Sequence, residues 1–471
     1  MSLPKLTPII HEWISEFLKN KKKLAELVDK HHSPINVHNP QPFKENFEEF
    51  SQVFKKYNIK HRIYFARKAN KSRSMVKEAK KLGFGVDTAS YRELEQCIHE
   101  GLDPENIAIT AAVKNRRLID LAIQNQVPIV LDNLDECELA NATAIQLGKK
   151  INIGIRLGGF EHEGEILYTR FGFTFSQAFH LITEGFKDQF QNLNFTGFHF
   201  HLNGYSPEQR ANALFQTLNM VDLLAEKEIK TQFIDIGGGF LMNYLHDKNE
   251  WEDFHQSLKN AVLGKRSPIT FANDPLGMTL VDGKLHGEPK VYPYYNTTPR
   301  AVFLEQILTF ENAEGIALYE VLNKHAEIEI RIEPGRSLLD QVGITVARVA
   351  FRKQDMNGDW LVGLEMNRTQ MFSSSADFLL DPIIISMKTK QTQQPVEGFL
   401  VGAYCLEQEL ILKRKLAFEN LPEIGDLICF PNTAGYMMHF YESQAHLFEL
   451  ATNLVATKDN GEFKVAKDEE Y

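Results

Sequence analysis

Apolar positions along the chain change period several times, and the changes outline its elements. Near the N-terminus Ile9, Ile10, Trp13, Ile14 and Phe17 recur at helical spacing and predict a helix with one buried face. Pro34-Ile35-Asn36-Val37-His38 then reads as a short strand. From about residue 41, short apolar runs alternate with longer amphipathic stretches. Runs at 63–66, 85–87, 107–110, 128–131, 151–157, 195–202 and 233–236 predict strands, and stretches at 43–57, 72–82, 91–99, 117–124, 134–147, 176–183 and 207–226 predict helices. Strands this short and apolar suit a parallel sheet covered on its outer face by helical crossovers. So many strand–helix units in succession predict a closed eight-stranded α/β barrel rather than an open sheet.

The alternation breaks between 241 and about 310, where Trp251 is followed by Pro268, Pro275, Pro289, Pro293 and Pro299. This stretch predicts an insertion of helical and hairpin pieces. A helix at 318–325 and a strand at 328–332 resume the pattern. From Gly343 onward the runs become short and β-like, at 344–351, 360–364, 398–401 and 427–430, and predict a separate β domain that the strand at 35–37 can join. The expected organisation is therefore an N-terminal helix and strand over 1–40, a barrel over 41–342 with its insertion at about 241–310, and a β domain over 343–471. A chain of 471 residues is long enough to bury two such cores.

Composition narrows the class without changing the outline. A net charge of −10 and the brevity of the basic cluster Lys21 to Lys23, on a predicted helix, argue against a nucleic-acid groove. Cys97, Cys137, Cys405 and Cys429 are scattered without paired metal spacing, which favours a reducing compartment over a disulfide framework. No apolar run reaches bilayer length and no signal-type leader is evident, so the expectation is a cytoplasmic protein without a membrane partner.

Candidate chemistry sits mostly where strands end, the pole at which such a barrel keeps its reactive groups. Lys68, in Phe65-Ala66-Arg67-Lys68-Ala69-Asn70, closes an apolar run. An amine partly withdrawn from water loses basicity and can form a Schiff base, although a lysine at a strand end is more commonly a plain solvated terminus. Asp235-Ile236-Gly237-Gly238-Gly239-Phe240 sets three glycines directly after a strand, where backbone can approach a ligand and aim amides at an anion. A flexible turn is the plain alternative, and neither dinucleotide nor P-loop spacing is present. In Arg331-Ile332-Glu333-Pro334-Gly335-Arg336 an acid ends the last barrel strand, Gly335 permits a tight turn, and Arg336 can grip a phosphate with two donors or form a surface ion pair. In Phe198-His199-Phe200-His201-Leu202-Asn203-Gly204, His199 and His201 share one strand face. They can ligate a metal, for which no third ligand is evident, or stack on a flat cofactor. Gly402-Ala403-Tyr404-Cys405 and Ala434-Gly435-Tyr436 offer a thiol and a phenol that are ordinary core groups unless they reach a reactive centre.

Taken in this order, these residues resemble the fold type III pyridoxal-phosphate enzymes, in the group of ornithine and diaminopimelate decarboxylases, over about residues 33–436. Phe-Ala-Arg-Lys-Ala-Asn is similar to that group's Tyr-Ala-x-Lys-Ala-Asn, and Gly85-Val86-Asp87 with Ser90 and Glu93 to its next strand end. The resemblance implies a TIM-like (β/α)8 barrel plus a C-terminal β domain, the two-domain architecture shared with alanine racemases. It implies pyridoxal 5'-phosphate (PLP) as cofactor, an amino-acid substrate, and a head-to-tail homodimer with shared active sites. Lys68 would hold the cofactor as an internal aldimine, Glu333 would keep the pyridine nitrogen protonated, and His201 would stack on the ring. Gly237, Gly238, Gly239, Gly335, Arg336 and Tyr436 would bind the phosphate side, and Asp87, Glu93 and Arg156 would form a supporting polar shell. Cys405 would enter from the partner subunit and return a proton after carbon dioxide leaves. Arg170-Phe171-Gly172 resembles a Lys-Phe-Gly element near the subunit boundary.

The chain also departs from that pattern. Asn203 and Gly204 stand where the group has Gly-Ser, so a phosphate-binding serine is missing. Cys405-Leu406-Glu407-Gln408-Glu409 replaces Cys-Glu-Ser-Gly-Asp, and no Arg-Pro-x-Leu-Tyr counterpart is found around Met371 to Phe378. In that group these pieces read the far end of the substrate, so their divergence argues against diaminopimelate, ornithine and arginine, leaves the substrate unidentified, and implies a divergent subgroup. The alternatives are a PLP-dependent epimerase or lyase on the same fold, a binding protein that keeps the fold without turnover, and a metal hydrolase built on His199 and His201. Alanine racemases place an arginine by the ring nitrogen, so Glu333 argues against racemisation. Lys68, Glu333 and Cys405 together argue against a decayed site.

Overall fold

A computed structural model describes residues 2–373, 378–388 and 395–471. Residues 374–377, inside the stretch without an Arg-Pro-x-Leu-Tyr counterpart, lie outside the described residues. The chain divides into two compact units, one of residues 44–241 and 298–338, the other of residues 1–43, 242–297 and 339–471.

The first unit is a barrel of eight parallel strands: β1 (His61–Ala66), β2 (Gly85–Thr88), β3 (Ile107–Ile109), β4 (Ile129–Leu131), β5 (Ile151–Arg156), β6 (Leu193–His199), β7 (Phe233–Asp235) and β8 (Glu329–Ile332). They are hydrogen bonded in the order β3-β2-β1-β8-β7-β6-β5-β4, and the end strands β3 and β4 approach each other without a ladder, so the barrel is nearly closed. Helices at Arg73–Leu82, Tyr91–His99, Arg116–Gln124, Leu134–Gln146 and Pro207–Ala225 connect successive strands, as the helical spacing predicts. The stretch predicted as one helix at 176–183 is instead an α-turn, Phe175–His180, passing into a wider π-type turn, Leu181–Gly185. Ile63, Tyr64, Phe65, Val86, Ile107, Ile129, Ile153, Ile155, Phe198, Ile234 and Ile330 are all buried, as strands covered on both faces must be. Two glycines let large rings lie across the sheet: a Cβ on Gly85 would collide with the Tyr64 ring, and one on Gly197 with the Phe233 carbonyl.

The second unit gathers three separated segments around mixed β structure. Ile35–His38 pairs antiparallel with Gly343–Val346 and parallel with Thr452–Val455. The predicted β runs form strands at Gly343–Gln354, Trp360–Leu364, Val396–Val401 and Leu427–Pro431, and the sequence reading missed a C-terminal hairpin of Thr452–Asp459 with Glu462–Lys467. The N-terminal stretch is two helices, Glu12–Lys19 and Lys21–His31, rather than one. Ile9 and Ile10 precede the first, whose buried face is Trp13, Ile14, Phe17 and Leu18.

The insertion was expected within the barrel domain, but residues 242–297 cluster with the β unit. The physical reason is its apolar face: Tyr244, Phe254, Leu258, Tyr292 and Tyr294 share a core with Leu364, Leu380, Leu412 and Phe430. Among the described residues no helix is long and apolar enough to cross a membrane.

Candidate active site

The barrel's strand registers bring its polar residues together at the C-terminal pole. Pairing of Ala66 with Asp87 sets Asp87 beside the turn that carries Lys68. Pairing of Arg156 and Asp235 with His199 places these three side by side on β5, β7 and β6. Glu333 follows β8 directly, and its N–H bonds the Gly237 carbonyl at 3.0 Å, tying the acid to the glycine triplet.

Lys68 Nζ lies 3.7 Å from Asp87 Oδ2; the lysine side chain is 34% exposed and the aspartate fully buried. An amine that both meets solvent and faces a buried acid is reachable by a small molecule and held in place. Burial and then the nearby Glu333 carboxylate push Asp87 up to about 7, against the opposing pull of Lys68, a hydrogen bond from Thr110 at 2.6 Å, and Arg156.

Glu333 is held by a buried histidine, His199 Nε2 to Glu333 Oε1 at 3.1 Å. Burial and then the Arg156 charge depress His199 well below its ordinary value, which favours the neutral imidazole beside the Glu333 carboxyl. Burial raises Glu333, and Lys68 and Arg156 oppose the rise. Burial and then Glu333 raise Asp235 well above the ordinary range. Two carboxyls and an imidazole whose ligand atoms lie within 4.8 Å of one another titrate together as one group, in which burial and mutual repulsion favour holding a proton.

The glycine triplet departs from the expected pattern of three free amides. Gly237 N–H donates to Asp235 Oδ1 at 2.9 Å and Gly238 N–H to His201 Nδ1 at 3.1 Å. The Gly239 and Phe240 amides, by contrast, have no acceptor among the described residues. A Cβ on Gly237 would come within 2.6 Å of His201 Nδ1, and one on Gly238 within 2.5 Å of the Glu333 carbonyl, so this loop has no room for side chains. The bond to Gly238 corrects the expected histidine pair: His199 turns to Glu333 and His201 to the backbone, and the group whose atoms converge closely enough for a metal is His199, Asp235 and Glu333.

The remaining predicted residues have definite places. Glu93 Oε2 accepts from the Ala89 amide at 2.7 Å, and Ser90 Oγ accepts from the Glu93 amide, so Glu93 secures the loop after β2. Arg156 lies 3.7 Å from Asp132, and its guanidinium and that of Arg170 sit 4.0 and 3.9 Å from the Phe171 ring centre. Gly335 and Arg336 form the turn after Glu333. Cys405 and Tyr436 belong to the other unit, Cys405 exposed on the loop after Val396–Val401. Tyr436 has φ +73°, a left-handed conformation costly for an aromatic residue and of the kind retained where position matters.

Sequence reasoning missed Asp132, which accepts from the Gly172 amide at 3.1 Å, and the buried pair Lys114 and Glu136 at 2.9 Å. Asp132 directly follows β4, Lys114 lies in the loop after β3, and Glu136 is in the first turn of the helix Leu134–Gln146, so only their place at the strand-end pole could have signalled them.

Two unfilled polar atoms mark where a ligand belongs: Asp87 Oδ2 and His199 Nδ1 are buried without a hydrogen-bond partner among the described residues. Together with the reachable amine of Lys68, the unused amides of Gly239 and Phe240 and the side-chain-free loop, they fit a planar, phosphorylated aldehyde. Residues 41–270 match the pyridoxal-binding domain of the pyridoxal-dependent decarboxylases. Over that stretch, just under half of the chain, the match is to that family. Its members are pyridoxal-dependent amino-acid decarboxylases, and the chain is an enzyme of that class, a carbon–carbon lyase. It is 29% identical to the uncharacterized protein y4yA of Sinorhizobium fredii, covering 96% of this chain and 94% of that one. It is 22% identical to the diaminopimelate decarboxylase of Vibrio cholerae, over 88% of this chain and 85% of the relative. The solved diaminopimelate decarboxylase of M. jannaschii in co-complex with L-lysine superposes with a TM-score of 0.68 at 17% identity, covering 94% and 91% of the two chains, which shows a shared fold.

Proposed function

We propose that this decarboxylase removes the α-carboxylate of an amino acid with pyridoxal phosphate held at the barrel mouth by Lys68. The observation that carries the reading is the placement of a solvent-reachable amine, Lys68, against Asp87 Oδ2, in the same pole as the His199–Glu333 pair. When bound, the cofactor supplies a protonated aromatic ring that takes up the electron pair left by the departing carbon dioxide.

The chain's own residues supply the rest. Lys68 would hold the aldehyde carbon and give it up to the substrate amine. Glu333, held in place by its hydrogen bond with His199 Nε2, would keep a proton on the ring nitrogen. Arg156 adds positive charge near both carboxylates. His201, oriented by the Gly238 amide, would lie against the ring face. The Gly239 and Phe240 amides, with Arg336, would take the phosphate, and Gly335 would give Arg336 its turn. Tyr436 would complete the phosphate side. Cys405 would return a proton to the carbon after carbon dioxide leaves, contributed by the partner subunit of a homodimer. The residues that would read the side chain differ in sequence from those of diaminopimelate decarboxylases, which argues against diaminopimelate as the substrate.

Two measurements test the reading. Purified protein incubated with pyridoxal phosphate is expected to show a visible absorption band that Lys68→Ala abolishes, and to release carbon dioxide from one member of an amino-acid panel. A protein that remains colourless with the cofactor would overturn the assignment of Lys68. A coloured protein that racemises or eliminates without releasing carbon dioxide would overturn decarboxylation.

A further inference from the structure

Arg210, on the helix Pro207–Ala225, is fully buried and has no carboxylate within ion-pair distance among the described residues. Its Nη1 donates to the Ser206 carbonyl at 3.1 Å, and its Nη2 to the carbonyls of Gly204 at 2.8 Å and Gly238 at 3.3 Å, while Nε has no partner. Burial lowers its pKa only to about 10, so it stays charged at neutral pH. A buried cation held only by carbonyls and by the Phe303 ring, 5.4 Å away, is costly, and an arriving charge of opposite sign would offset that cost.

The geometry says where that charge arrives. Gly238 C=O and Gly239 N–H belong to one planar, trans peptide unit, so a guanidinium on the carbonyl leaves the N–H pointing the opposite way. The same bond polarises the peptide and strengthens that N–H as a donor. Gly239 is the first amide of the triplet without an acceptor. Its φ is +84°, and a Cβ there would collide with Arg210 Nη2, so the glycine is what admits the guanidinium. The Gly204 carbonyl, also gripped, belongs to the turn after His201 in which the expected serine is absent.

We propose that Arg210 is a positioning residue for a phosphate dianion: it ties the Gly204 turn to the glycine triplet from behind, turns the Gly239 N–H outward, and backs it with a positive charge that replaces the missing serine. This rests on the reading of Gly237–Gly239 as the cofactor's phosphate cradle.

The test compares pyridoxal phosphate with pyridoxal, which lacks the phosphate, by equilibrium titration of protein fluorescence. Competition by inorganic phosphate supplies a second readout. Arg210→Gln is expected to weaken pyridoxal phosphate by about tenfold or more, the scale of one lost charge at short range. It should leave pyridoxal within about twofold and raise the phosphate concentration needed to compete. Arg210→Lys, which keeps the charge, is expected to restore most of the preference for the phosphorylated form, and it serves as the readout if Arg210→Gln does not fold, since a Lys variant without the preference overturns the proposal. Equal weakening of both ligands by Arg210→Gln would reduce Arg210 to a packing role. An unchanged preference would remove the role altogether while leaving the cradle intact. A wild-type protein that shows no preference for the phosphorylated form would instead overturn the cradle itself.

Discussion

At the scale of single residues, the site depends on which acids keep their protons. Asp87 is raised from 3.8 to about 7, chiefly by burial. A group raised on folding binds its proton more tightly in the native state, so its contribution to stability is complete below about pH 4 and is lost as the pH climbs towards 7. Urea denaturation of the cofactor-free protein at a series of pH values is therefore expected to show the stability of the wild type relative to Asp87→Asn declining across that window. An Asn variant with the wild-type slope would mean that Asp87 does not titrate there. The glycine triplet gives a second residue-scale prediction. Gly238→Ala forces a Cβ against the Glu333 carbonyl, so it should displace Glu333 and the triplet together and cost cofactor affinity by a factor of ten or more, roughly 1.4 kcal/mol; equilibrium titration with pyridoxal phosphate reads it directly.

At the scale of elements, the alternation of short apolar strands with amphipathic helices was legible because each barrel strand is buried on both faces and each helix on one. The registers were not legible from it. That Ala66 meets Asp87, or Arg156 meets His199, depends on how neighbouring strands slide, and a local pattern carries no record of the neighbour. The insertion shows the same limit. Its helix Lys248–Val262 has a buried stripe of Phe254, Leu258 and Ala261, which the sequence displays, yet the partner of that stripe is supplied by strands more than a hundred residues away. Phe254→Ala is expected to destabilise the unit by about 3–5 kcal/mol, the usual cost of emptying a buried aromatic site. Chemical denaturation followed by a probe in the β strands would detect it, and an unchanged transition would show that the helix does not share that core.

At the scale of the whole molecule, Lys68 and Cys405 lie on different units of the chain. If the thiol of one subunit serves the lysine of another, Lys68→Ala and Cys405→Ala chains, each inactive alone, should complement when unfolded and refolded together. Random pairing makes half the dimers mixed, and each mixed dimer holds one intact site of two, so about a quarter of the wild-type rate is expected. Absence of any recovered rate, with mixed dimers demonstrated by mass, would place both groups in the same subunit's site.

Sequence alone determined the kinds of elements, their order, and the identities of the groups that end the barrel strands: a lysine, two histidines, a glycine triplet and an acid before a proline. These are local properties, written in period and in residue type. Only the tertiary structure decided what each group is paired with. It set His199 against Glu333, committed two of the three triplet amides to Asp235 and His201, set an Arg210 with no carboxylate partner among the described residues behind the third, and moved the insertion out of the barrel unit. Burial, register and charge pairing arise between segments distant along the chain, so they exist only once the chain has closed on itself.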